Sequence, residues 1–110
     1  MKYIFHPAAL IEYSEAVQYY TQNRIALAQA FIDAVENTIY RIRESPTTWQ
    51  IIDEDVRRCM TRKFPYGILY TVEEDEILIL AIMHCSREPN YSGQPHTFRN
   101  NYRNLGSDDV

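Results

Sequence analysis

The chain has 110 residues, and eleven Lys+Arg against fifteen Asp+Glu leave a formal charge of −4. That length fits one domain, or one domain and a tail, and the 45% apolar content supplies a single core and excludes wholesale disorder. No apolar run approaches the ~20 residues of a membrane span, and the start, Met1-Lys2-Tyr3-Ile4-Phe5-His6-Pro7, lacks the apolar stretch of a signal peptide, which predicts a cytoplasmic protein.

Lys2 to Phe5 reads as a short strand, because Tyr3, Ile4 and Phe5 favour extended backbone. His6-Pro7 ends it, and proline suits the first turn of a helix, where its missing N–H would have no partner. From Pro7 to about residue 22, Leu10, Tyr13, Val17 and Tyr20 recur at three- and four-residue steps, and Ala9 and Ala16 widen the stripe. Glu12, Glu15 and Gln18 fall on the polar side and read as solvated. Asn23 stops this helix and offers a cap for the next. From about residue 25 to 44 the stripe is Leu27, Phe31, Ala34/Val35, Thr38/Ile39 and Ile42, with Arg41 and Arg43 at the end the helix dipole favours. Ser45-Pro46 closes it. The short link predicts an antiparallel helical hairpin with both stripes on one side.

Residues 46–56 read as a loop pinned by Trp49, Ile51 and Ile52. Three strands follow: 57–64, 68–72 and 77–83, separated by turns at Pro65-Tyr66-Gly67 and Glu73-Glu74-Asp75. The last strand is apolar on both faces, so it belongs inside a sheet. The helices cover one face, and the other needs a cover from elsewhere, an apolar surface of the kind that docks a partner. Beyond Pro89 the pattern dissolves; residues 92–110 read as an irregular or disordered tail behind a domain at 1–91. The fold class is α+β, in the order β-α-α-β-β-β, with the helical hairpin on one face of a small, mostly antiparallel sheet.

Cys59 and Cys85 are too few for a disulfide scaffold and have no zinc-site spacing, so they read as buried thiols. No P-loop, GxGxxG, GxSxG or HExxH pattern is present, and neither a metal nor a cofactor is expected. The charge is uneven: residues 1–56 hold four basic and eight acidic side chains, residues 57–110 seven of each. Arg57, Arg58, Arg62 and Lys63 cluster, and with His84, Arg87 and the tyrosines Tyr66, Tyr70 and Tyr91 they could converge on one surface. Guanidinium forks suit phosphate oxygens and tyrosine rings suit bases. There an RNA 2′-hydroxyl could be the nucleophile, with His84 the acid–base candidate. The competing reading is a solvated strand face paired with the acidic turns, with His84 a strand-end residue.

His6-Pro7-Ala8-Ala9, Glu12, Glu15-Ala16, Tyr19-Tyr20, Phe31, Ala34, Ile39, Pro46, Arg57-Arg58, Lys63-Phe64-Pro65-Tyr66, Tyr70, Ala81-Ile82-Met83-His84 and Arg87-Glu88-Pro89-Asn90-Tyr91 follow in that order. Together they resemble the RelE/ParE toxin superfamily, in the branch called plasmid stabilisation proteins, over residues 3–91. The resemblance implies the toxin of a type II toxin–antitoxin pair, with a cognate antitoxin as partner. It also implies one of two targets: the ribosome, where RelE-like toxins cleave mRNA, or DNA gyrase, which ParE-like toxins inhibit. Carried over by position, the catalytic candidates are Arg57, Arg62, Lys63, Arg87 and Tyr91, with Arg58 one place from Arg57. Ser92 follows Tyr91 where the branch has Trp, and the acidic balance is unlike that of a ribosome-binding nuclease. The first expectation from the resemblance is growth inhibition by ribosome-dependent mRNA cleavage; both departures favour the alternatives, gyrase inhibition without enzymatic activity or an inactive relic. Self-association is the expected competitor when antitoxin is absent.

Overall fold

The computed structural model describes residues 1–87; the boundary at 91 and the tail lie outside them. The elements are β1 (Lys2–Phe5), α1 (Pro7–Asn23), α2 (Ile25–Glu44), β2 (Gln50–Asp53), β3 (Val56–Met60), β4 (Tyr66–Glu73), β5 (Glu76–His84) and a 3-10 turn at Cys85–Arg87. Strands β2 to β5 form an antiparallel meander, and β1 extends it as an edge strand pairing parallel to β5, giving the open order β1-β5-β4-β3-β2. This is the expected α+β fold, and β5 lies inside the sheet as its two-sided apolar pattern requires.

Extended backbone at His6 turns the chain from β1 into α1, and its Nδ1 accepts the Ala8 N–H at 2.9 Å, so a histidine caps the helix that Pro7 begins. The His6 N–H donates to the Ile79 carbonyl at 2.8 Å and ties this corner to β5. Helix α1 meets the sheet through Ala9 and Ala16, both buried, whose small side chains allow close approach. Leu10 is off that line and 51% exposed, contrary to the stripe expected of it. Only Arg24 separates the helices. Asn23 does not cap α2: its Nδ2 donates back to the Tyr19 carbonyl, and the α2 N-cap is Arg24, without a side-chain bond. Helix α2 buries Phe31, Val35, Thr38, Ile39 and Ile42.

The segment read as a loop contains a strand. Gln50–Asp53 pairs antiparallel with β3, Ile51 opposite Arg57, before a turn at Glu54-Asp55. Four residues on a sheet edge, with Gln50 and Ile51 exposed, carry too little alternation to announce a strand, and the partner strand supplies the order. Strand β3 stops at Met60, and Tyr66 and Gly67 belong to β4 rather than to a turn, because Thr61 closes the loop before them: its N–H donates to the Tyr66 carbonyl at 2.9 Å and its Oγ1 to the Phe64 carbonyl at 2.8 Å.

The helix-covered face of the sheet holds Cys59, Ile68, Tyr70, Ile77, Ile79 and Ile82. The far face holds Val56, Leu69, Leu80, Ala81 and Met83, all buried, and no residue of either helix belongs to this cluster. The far face is therefore not the open apolar surface expected for docking. Exposed apolar side chains sit elsewhere, on β1 at Ile4, on α1 at Ile11 and Tyr19, and on α2 at Ile25 and Tyr40.

Candidate functional site

Strand alternation separates the two adjacent arginines. Arg57 pairs with Tyr70 and shares the helix-covered side with it, whereas Arg58 pairs with Leu69 on the far side. The Arg57 Nη1 donates to the Thr47 carbonyl at 2.9 Å and to the Trp49 carbonyl at 2.8 Å. Its guanidinium thus holds the chain between α2 and β2. Arg58 donates through Nη2 to Gln50 Oε1 at 3.0 Å, and its stem crosses Gly67, where a Cβ would stand 3.2 Å from Arg58 Cδ and from Met60 Sδ. Glycine at 67 makes room for that stem.

Arg62 and Lys63 project from the β3–β4 loop and are exposed. Lys63 takes a left-handed backbone conformation, φ 71°, which lets Phe64 turn inward onto Phe31 and Tyr20 at 5.3 and 5.2 Å between ring centroids. Arg62 and Arg41 are close enough to Cys59 to oppose the upward push that burial gives its thiol. The Cys85 N–H donates to the Pro65 carbonyl at 2.8 Å, so the turn carrying Arg87 is bound to the loop carrying Arg62 and Lys63. Three of the five sequence candidates therefore sit on segments joined at one end of the sheet. Arg57 is spent on backbone carbonyls further along β3, and Tyr91 lies outside the described residues.

His84 lies opposite Tyr66, and their rings meet edge to face at 5.1 Å. Its Nδ1 accepts the Ser86 N–H at 3.0 Å and lies 2.8 Å from Ser86 Oγ, which makes it the cap of the 3-10 turn. Cys85 is exposed, not buried as expected; Cys59 is buried. Among the described residues no three His, Cys, Asp or Glu side chains are placed to hold a metal, and no helix is long and apolar enough to cross a membrane.

Glu12 is the functional-looking residue that periodicity misassigns. Strand β1 ends at Phe5, so β5 loses that neighbour beyond Ile79. The Ile82 N–H on this side donates to Glu12 Oε1 at 2.9 Å, across 70 residues of sequence. The carboxylate is an anchor between helix and sheet, not a solvated group. No local pattern marks it, since the partner is a backbone amide.

The family model of the ParE toxin of type II toxin–antitoxin systems, parDE, matches residues 3–89. The chain belongs to the ParE toxin family. The same helical pair and sheet occur in a solved structure described as a chromosomal ParDE toxin–antitoxin system from P. aeruginosa, to which this chain is 16% identical with a TM-score of 0.67, over 76% of this chain and 95% of that one. That similarity is one of fold. No curated protein matches. Membership in the ParE family makes this chain the toxin of a type II pair and implies a cognate antitoxin as its partner.

Proposed function

We propose that this ParE-family toxin arrests growth by binding and inhibiting DNA gyrase, without cutting RNA. The observation that carries the reading is the commitment of Arg57. The strand arginine expected at a scissile phosphate donates instead to the carbonyls of Thr47 and Trp49. His84, the histidine beside the basic segments, has its Nδ1 occupied by the Ser86 N–H. Ser92 in place of Trp and the acidic balance of the chain support the same reading. The test is induction of the toxin alone. Gyrase-dependent DNA breaks with intact mRNA are expected; rapid mRNA cleavage in a translating extract, with supercoiling unchanged, overturns the reading.

The joining of the Arg62–Lys63 loop to the Arg87 turn favours a second reading, ribosome-dependent mRNA cleavage. In it Arg62, Lys63, Arg87 and Tyr91 surround the phosphate and stabilise the charge that develops there; Arg57 joins them only by releasing the two carbonyls. Arg87→Ala and Tyr91→Ala then abolish cleavage, and a cleavage rate unchanged in both variants removes this assignment.

A further inference from the structure

A cavity of about 580 Å³ opens between α1 and the end of β5, within the ~300–1,000 Å³ typical of small-ligand sites. Glu12 and Glu15 on α1 form one wall, Tyr19, Tyr20 and Tyr66 line it, and His84 stands at the strand end. The rings run edge to face, Tyr19 to Tyr20 at 5.3 Å, Tyr20 to Tyr66 at 6.3 Å and Tyr66 to His84 at 5.1 Å. One oxygen of Glu12 holds the Ile82 N–H, which fixes that carboxylate in the wall. Glu15 is exposed at the same side of the helix, and Ile11, Glu15 and Tyr19 follow one another at helical i+4 spacing. Ile11 and Tyr19 are 59% and 60% exposed. From Pro7 to Asn23 there is no Lys or Arg.

We infer that this cavity receives an arginine side chain from the antitoxin. Carboxylates exclude an anion, and the polar walls give a purely apolar side chain little to gain. A planar guanidinium satisfies both features at once: it stacks on tyrosine rings and forks onto a carboxylate, which the compact, strongly hydrated lysine ammonium does less well. The partner follows from family membership and not from the choice between gyrase and ribosome, so the two fail separately.

The test is an NMR titration of the full chain with N-acetyl-arginine amide, compared with N-acetyl-citrulline amide, the uncharged near-isostere. Shifts centred on Tyr19, Tyr20, His84 and Ser86 are expected with arginine and not with citrulline. Exposed ion pairs and cation–π contacts are weak, so Glu15→Gln and Tyr19→Ala should each loosen binding about two- to fivefold. Both positions are exposed, and the variants should keep the wild-type spectrum elsewhere. Equal shifts with citrulline, or unchanged affinity in both variants, overturn the cavity assignment. Addition of the cognate antitoxin should abolish the arginine shifts; their persistence in the toxin–antitoxin complex overturns the assignment of the occupant.

Discussion

Arg57 and Tyr70 face each other across the β3–β4 ladder and reach the same stretch of chain: Arg57 holds the Thr47 and Trp49 carbonyls, and the Tyr70 hydroxyl donates to the Pro46 carbonyl at 2.6 Å. Tyr70 is fully buried, and burial pushes its phenol far above the ordinary range, with the Arg57 charge opposing only part of the shift. The hydroxyl therefore stays a donor. Tyr70→Phe leaves a carbonyl without its donor and should cost about 1–2 kcal/mol, and Arg57→Ala about 1.5–3 kcal/mol. Denaturant midpoints at unchanged slope measure both. A stable Arg57→Ala protein that has lost all toxicity would instead make Arg57 a target-contacting residue.

Glu12 joins α1 to a part of β5 that β1 does not reach. Glu12→Ala removes a charged acceptor from a half-buried amide and should destabilise by about 1.5–3 kcal/mol, whereas Glu12→Gln keeps an acceptor and should cost about half as much. Amide exchange at Ile82 is the local readout. Equal, wild-type-like protection at Ile82 in both variants would show that the bond is dispensable.

Alkaline stability should depend on Tyr13. Burial, then the charge and hydrogen bond of Glu36, raise its phenol from 10.0 to about 12. The folded state thus favours the protonated phenol. That contribution is whole below the unfolded value of 10 and is lost as pH rises through the folded value of about 12. Ultraviolet titration of the folded protein should show this tyrosinate forming late, and Tyr13→Phe should flatten the fall in stability between those limits. Glu36→Gln should bring the phenol down, because the carboxylate is one cause of the shift. A Tyr13 phenol titrating at its ordinary value rejects the assignment.

Glu74 occupies the β4–β5 turn at φ 46°, in the left-handed region that disfavours most L side chains. Glu74→Asn should stabilise by about 0.5–1 kcal/mol, since asparagine enters that region more readily. Thermal unfolding measures it, and a lower midpoint would mean that the glutamate side chain contributes more than its backbone strain removes.

The helices and the buried strand were legible because burial repeats with the period of the backbone. Phe31, Val35, Thr38, Ile39 and Ile42 mark a helical face, and the apolar run from Ile77 to Met83 marks a strand with both sides covered. Strand β2 was not legible, since Gln50 to Asp53 acquires its order from β3. The basic cluster was legible as composition but not as a site. Alternation sends Arg57 and Arg58 to opposite faces, and the Arg57 partners are backbone carbonyls, which every residue possesses and no sequence pattern advertises.

The helical hairpin, the strands other than β2 and the interior place of β5 were determined by the sequence alone, because local periodicity already states which face of each of those elements leaves water. Tertiary structure alone decided which charges are structural. The Glu12 carboxylate finds the Ile82 amide, the Arg57 guanidinium finds two carbonyls, and the Arg62 loop meets the Arg87 turn through Pro65 and Cys85, all by contacts between segments distant in the chain. Hydrogen bonds to the backbone depend on where the chain returns in space, and that is fixed only when the whole sheet is assembled.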